Sequence, residues 1–156
     1  MIIATLLSSL YLINANVTVY PPDQPPAVVA VINPSIAVIQ QNHLTTSEGR
    51  RAFLTDKLLP YTAVTDQLNN EIKNDSSVIS ALSPKRDQQK IITLTDQMTQ
   101  KMTKLINRLS VLNSVQSINE DFLQIDSILE QREPLTPAQQ TVIDRIAFIC
   151  NSVNAN

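Results

Sequence analysis

The sequence predicts a mainly α-helical protein: an irregular helical bundle or a long helical hairpin of four to five helices, preceded by an extended proline-rich arm with short β-strands. Three observations carry this prediction. Residues 83–116 keep one helical periodicity, with no glycine and with no proline after Pro84 at the start. Gly49 is the single glycine of 156 residues, which disfavours the tight hairpin turns of a many-stranded fold. Four prolines within residues 21–26 force an extended backbone.

Residues 1–15 form an apolar N-terminal segment with two open interpretations. Positions 2–13 are apolar except for Thr5, Ser8 and Ser9, which suits a signal peptide cleaved after Ala15 or an element retained in the mature protein. The absence of lysine and arginine at its start disfavours the signal peptide. Only residues 1–20 could contact a membrane, and their apolar run is shorter than the roughly 20 apolar residues that a regular spanning helix needs.

The arm, residues 16–45, is predicted to contain short strands. Residues 17–20, 27–32 and 36–39 are rich in β-branched side chains, and Asn33-Pro34-Ser35 between the last two runs is predicted as a turn. Apolar strands without a partner are edges that another chain can pair with. The predicted partner-contact residues of the arm are Val28, Val29, Val31, Ile36 and Val38.

The body, residues 46–156, is predicted to be a helical bundle. Thr46 or Ser47 can cap the first helix, and Pro60 is expected to kink or split it near Leu59. A short helix is expected to begin within residues 74–76, and the long helix at Ser83.

Two capping boxes are predicted to open the last two helices. In the first, Ser117 precedes Glu120 by three residues; in the second, Thr136 precedes Gln139.

The long helix has an apolar seam of the kind found in coiled coils. Its residues recur at steps of three or four: Ile91, Leu94, Met98, Met102, Leu105, Leu109 and Leu112. Three of these, Met98, Met102 and Leu105, are predicted to contact a partner, although methionine also commonly fills core space.

A basic flank borders this seam. Its residues are Lys90, Lys101, Lys104 and Arg108. Because residues 119–134 are acidic, ion pairs with the following helix are expected. The alternative is a stripe that contacts phosphates, which the net charge of −2 and the scarcity of aromatic residues disfavour. We therefore do not expect this chain to bind nucleic acid.

The residue inventory excludes several classes of active site. One glycine cannot build a phosphate-binding loop or a dinucleotide fingerprint. His43 and Cys150 are the only residues of their types, which excludes multi-histidine and multi-cysteine metal sites. Cys150 is interpreted as a small buried apolar residue. We expect no enzymatic activity, no cofactor, no metal and no catalytic residues.

These patterns together predict a non-enzymatic structural or interaction subunit of a larger assembly, such as a virion, a phage particle or a secretion apparatus. Its N-terminal arm and long helix would contact protein subunits, either copies of itself or other chains. The alternative is an exported helical module that binds an apolar ligand or a receptor after removal of residues 1–15. Retention of Met1 would place the protein in its assembly, and cleavage would make it secreted or periplasmic.

Overall fold

A computed structural model describes residues 16–17, 28–29 and 33–155. The described chain is mainly helical, as predicted. Its elements are β1 (Asn16–Val17), β2 (Val28–Val29), α1 (Pro34–Gln41), α2 (Ser47–Phe53), a π-helical turn (Leu54–Leu58), α3 (Leu59–Ala81), α4 (Gln88–Val115), α5 (Ile118–Glu130) and α6 (Pro137–Asn154). Strands β1 and β2 pair antiparallel. The predicted apolar segment 1–15 and the remainder of the predicted proline-rich arm lie outside the described residues.

Helix α1 replaces the strand that was predicted over residues 36–39. Asn33 has extended backbone dihedrals, and its side chain accepts hydrogen bonds from the backbone N–H groups of Ser35 and Ile36 at 3.1 and 3.3 Å. Pro34 occupies the first helical turn, where its missing N–H removes no bond. The Asn33-Pro34-Ser35 triplet is therefore a helix start, and the prediction of a turn between two strands was wrong.

The helical region begins with α1, before the predicted boundary at residue 46. Helix α1 packs along α6 and is therefore part of the helical body. The two helices run parallel: the Asn33 amide donates to the Gln140 side chain at 2.9 Å, and the Asn154 amide donates to the Asn42 side chain at 2.9 Å. Ile36 is fully buried. It belongs to the core of its own chain.

The expected break near Pro60 takes the form of a π-helical turn. Thr46 caps α2 as predicted, its hydroxyl accepting from the N–H of Gly49 at 3.0 Å. The N–H of Leu59 then donates to the carbonyl of Leu54, five residues earlier. This wider turn accommodates Pro60, whose ring would clash with the carbonyl four residues before it in a regular helix.

Helix α3 continues to Ala81, so the separate short helix predicted from residues 74–76 does not exist. The chain then reverses over Ser83–Asp87, where the Asp87 carboxylate accepts from the N–H of Ser83 at 2.9 Å. Helix α4 accordingly begins at Gln88, five residues later than predicted.

One of the two predicted capping boxes is present. The Thr136 hydroxyl and the Gln139 side chain exchange hydrogen bonds with each other's backbone at the start of α6. Ser117 makes no such bond, because the chain turns from α4 into α5 with Ser117 in a non-extended conformation. Its hydroxyl instead lies 3.3 Å from the Asp121 carboxylate.

The core lies where α1, α2, the π-helical turn, α5 and α6 meet, together with the ends of α3 and α4 that adjoin them. Residues Ile125, Ile143, Ile146 and Ile149 are fully buried there. Cys150 is fully buried too, as the sequence indicated. Helices α3 and α4 pack mainly on each other.

Candidate functional site: the α3–α4 hairpin

Helices α3 and α4 form an antiparallel hairpin with a heptad-spaced seam. Side chains that face inward alternate at steps of three and four on both helices. On α3 they are Tyr61, Thr65, Leu68, Ile72, Asp75 and Ile79; on α4 they are Ile91, Leu94, Met98, Lys101, Leu105, Arg108 and Leu112. At 28 residues, α4 is about 42 Å long.

Two basic residues occupy seam positions that the sequence pattern assigned to apolar neighbours. Lys101 and Arg108 turn inward, whereas Met102 and Leu109 are 44% and 50% exposed. The strict 3–4 alternation of a two-helix seam selects these positions. A search for apolar residues alone therefore shifts the predicted seam by one residue at two points.

Lys101 forms the polar contact of the seam that lies farther from the core. Its Nζ donates to the Asp75 carboxylate at 2.7 Å and lies 3.4 Å from the Glu71 carboxylate. The hydrogen bond to Asp75 is the main cause that raises the pKa of Lys101. A charged pair inside a mainly apolar seam fixes the register, since sliding by one turn would separate the two groups.

Arg108 holds the second polar layer, nearer the core. Its Nε donates to the Thr65 hydroxyl at 2.9 Å, and its Nη2 donates to the backbone carbonyl of Tyr61 at 3.0 Å. The guanidinium carbon lies 3.8 Å from the centroid of the Tyr61 ring, a cation–π contact. Burial raises the pKa of Tyr61, and the nearby guanidinium partly offsets that increase.

The prediction that the basic flank of α4 pairs with the acidic helix that follows it was wrong. Lys101 bonds to the preceding helix, α3. The acidic residues of α5 pair elsewhere: Asp121 with Arg145 of α6, at 2.7 Å through Nε, and Asp126 with Arg50 of α2. The cause is topological, because α5 leaves α4 through a two-residue turn and packs on α6.

A second stripe of α4 borders the seam and faces solvent; we call it the outer stripe. Its members also recur at steps of three and four: Ile92, Thr95, Thr99, Met102, Ile106 and Leu109. Ile92 is 47% exposed and Ile106 is 64% exposed. At about 100° per residue the stripe covers roughly 100° of arc. Helix α4 is thus apolar on two adjoining faces, of which α3 covers one.

The predicted partner-contact residues fall into different environments. Val28 and Val29 form β2, and Val31 lies outside the described residues. Ile36 is fully buried and Val38 packs partly against the core.

The three predicted contacts on α4 also separate. Met98 and Leu105 are half-buried in the hairpin seam, whereas Met102 belongs to the outer stripe. The outer stripe was missed because Thr95 and Thr99 dilute its hydrophobicity. The signal available in the sequence was the recurrence of apolar residues at positions 92, 102, 106 and 109.

Residues 33–155 hold no group of three histidine, cysteine or acidic side chains placed to bind a metal ion. Among the described helices, none combines the length and apolar character that crossing a membrane requires. Comparisons with protein-family models, with curated proteins and with solved structures found no match.

Proposed function

We propose that this chain is a non-enzymatic structural subunit of a larger assembly, and that its α3–α4 hairpin contacts the hairpin of a second copy. The observation that supports the proposal is the outer stripe of α4. This apolar face is continuous along most of a helix about 42 Å long, unlike the single exposed apolar residues that are normal on protein surfaces. Continuous apolar faces are typical of interaction sites.

The hairpin itself favours a helical partner. Its seam residues far from the core are only half-buried, because two helices alone leave part of the seam between them open to solvent. These residues are Leu68, Ile72, Leu94 and Met98. A second pair of helices packed against the first buries such residues as the core of a four-helix bundle.

A second copy is the partner we favour, because the outer stripe carries no charge. Its six residues are isoleucine, leucine, methionine and threonine, so two identical stripes can meet without like-charge repulsion. A twofold contact uses the same surface on both subunits, and this is the commonest way in which soluble chains associate.

Sedimentation equilibrium of the full chain over a wide concentration range tests this proposal. We expect a species of twice the 17.3 kDa chain mass. The double variant Ile106→Gln/Leu109→Gln should shift the equilibrium to the monomer, because it places polar amides in the contact. Circular dichroism should show unchanged helicity, since both side chains are exposed.

A matched control is Leu123→Gln. Leu123 is 80% exposed but lies on α5, outside the hairpin, so its substitution should leave association unchanged. A wild-type chain that stays monomeric at every concentration, or a stripe variant that associates as tightly as wild type, would contradict the proposal.

A further inference from the structure

A groove lies at the core-proximal end of the hairpin, between α3, α4 and the C-terminal turns of α6. Its volume is about 1070 Å³. Val64 and Phe148 supply exposed apolar surface, 50% and 44% exposed respectively, and Lys57 and Lys104 lie on its walls. Arg108 lies at its floor, with 8% of its surface exposed.

The Arg108 guanidinium carries a positive charge without an acidic partner in the described part of the chain. Its hydrogen-bond acceptors, the Thr65 hydroxyl and the Tyr61 carbonyl, are neutral. The four ion pairs formed among the described residues do not include it. Buried charges in proteins are normally paired with an opposite charge, so this environment is incomplete.

One nitrogen of Arg108 remains available. Nε and Nη2 are engaged, and no described residue accepts from Nη1. Every fully buried side-chain nitrogen or oxygen of the described residues has a hydrogen-bond partner. Nη1 therefore keeps solvent-accessible surface, and the residue that carries it lines the groove.

The acidic residues that line the groove are held by other groups. Glu71 lies 3.4 Å from Lys101, and the Asp56 carboxylate accepts from the Thr55 hydroxyl at 2.9 Å. Three cations, Lys57, Lys104 and Arg108, thus face two carboxylates, and the charge of Glu71 is already offset by Lys101. The net field of the groove favours an anion.

We propose that this groove binds an acidic peptide segment of a partner protein, with an aspartate or glutamate carboxylate accepting from Arg108 Nη1. The groove is open to solvent, and its volume is at the upper limit of the ~300–1,000 Å³ typical of small-molecule pockets. Phe148 and Val64 offer apolar contacts to residues that flank the carboxylate. Lys57 and Lys104 add to the attraction of an acidic segment.

This inference is independent of the proposed hairpin contact. Arg108 lies at one edge of the α4 seam with Lys104 beyond it, and the outer stripe borders the opposite edge. Substitutions at Ile106 and Leu109 therefore test association, and substitutions in the groove test peptide binding, so either proposal can fail alone.

The test is selection of a displayed library of random 12-residue peptides on the full chain. We expect the selected peptides to share an aspartate or glutamate. In fluorescence polarisation, replacing that residue by asparagine or glutamine in the synthetic peptide should weaken binding at least tenfold, about 1.4 kcal/mol. This comparison uses the unaltered protein and so does not depend on the folding of a variant.

Protein variants locate the site. Arg108→Lys keeps the charge but loses the planar donor geometry and should weaken binding, whereas Lys73→Met, an exposed α3 substitution outside the groove, should not. Recovery of no peptide, recovery of peptides without an acidic residue, or equal affinity of the acidic and amide forms would each overturn the proposal.

Discussion

His43 has a backbone φ of 56°, a left-handed conformation that glycine adopts most readily. It follows the C-cap of α1, where the N–H of His43 bonds to the carbonyl of Gln40 and the N–H of Leu44 bonds to that of Ile39. This is the Schellman pattern, and Leu44 and Ile39 supply its buried apolar contact. The single histidine is thus the left-handed residue that ends helix α1, which composition alone could not reveal.

His43→Gly should stabilise the fold by about 1 kcal/mol, because it removes the steric cost of a left-handed side-chain residue. Urea unfolding followed by circular dichroism measures the change. Gln41→Gly in α1 is the control and should instead destabilise, since glycine is a poor residue for a helix. Destabilisation by His43→Gly would contradict the account of this helix end.

Gly49 is the only glycine, and close approach explains it. A Cβ atom at this position would lie 1.8 Å from the carbonyl oxygen of His43. Because that oxygen belongs to the backbone, it cannot move aside cheaply.

We therefore expect Gly49→Ala to destabilise the protein by about 1–3 kcal/mol, the usual range for overpacking. The same urea unfolding experiment measures it. Ser47→Ala, two residues earlier and exposed, should change stability little. Equal stability of the Gly49 variant and wild type would show that the α1–α2 junction is looser than described.

Cys150 provides a test of the core. Burial raises the pKa of its thiol to about 12, from an ordinary value of 9.0. The native thiol therefore stays protonated at pH 8, whereas the unfolded thiol ionises as the pH passes 9. Since the unfolded state then binds fewer protons than the native state, this group lowers stability as the pH rises from about 9 to about 12.

We expect Cys150 to be unreactive toward a thiol reagent such as dithionitrobenzoate at pH 8. It should react completely in ~6 M guanidinium, which unfolds the protein. The thiolate is the reactive form, and both protonation and burial suppress it. Stoichiometric reaction of the native protein within the mixing time would mean that the face of α6 around Cys150 is open to solvent.

At the scale of elements, the sequence predicted most helices and mistook how they pair. Periodicity and capping residues located the starts of α2, α5 and α6 within a residue or two. The run of β-branched residues over 36–39 favours a strand by local propensity, whereas Asn33-Pro34 before it is a helix start. Burial of Ile36 and Ile39 on α6 decides in favour of the helix.

The seam of the hairpin could be predicted only in part, for a related reason. Lys101 and Arg108 lie in the seam because acceptors on α3 meet them. Those acceptors are distant in sequence, so the pattern of α4 alone cannot show that a basic residue faces inward. The groove was equally hidden, because it requires three helices that only the tertiary fold brings together.

The charged layer at Asp75 and Lys101 carries a prediction about the hairpin. Asp75→Leu alone should lower the urea midpoint, since it leaves Lys101 without its closest partner. The double variant Asp75→Leu/Lys101→Leu should recover the midpoint or exceed it, because an apolar pair packs in a seam without desolvating charge. A double-mutant cycle measures the coupling between the two residues. Strict additivity of the single variants would contradict the proposed pairing.

At the scale of the whole molecule, the described chain combines a packed core with a hairpin that is incompletely covered. The core end of the hairpin is anchored by Val111 and Tyr61, both buried. In the half of the hairpin far from the core, one face of α4 is the half-buried seam and the adjoining face is the outer stripe. A second copy of the chain would satisfy both faces, which is why we propose the hairpin as the subunit contact.

Methyl NMR with a soluble paramagnetic relaxation agent tests this contact most directly. Ile92 and Ile106 are exposed in the single chain, whereas Ile143 is fully buried and Leu123 lies exposed on α5. At high protein concentration we expect the Ile92 and Ile106 methyl groups to become protected, approaching Ile143, while Leu123 remains accessible. If Ile106 relaxes as fast as Leu123 at every concentration, the outer stripe is not the contact between copies of this chain.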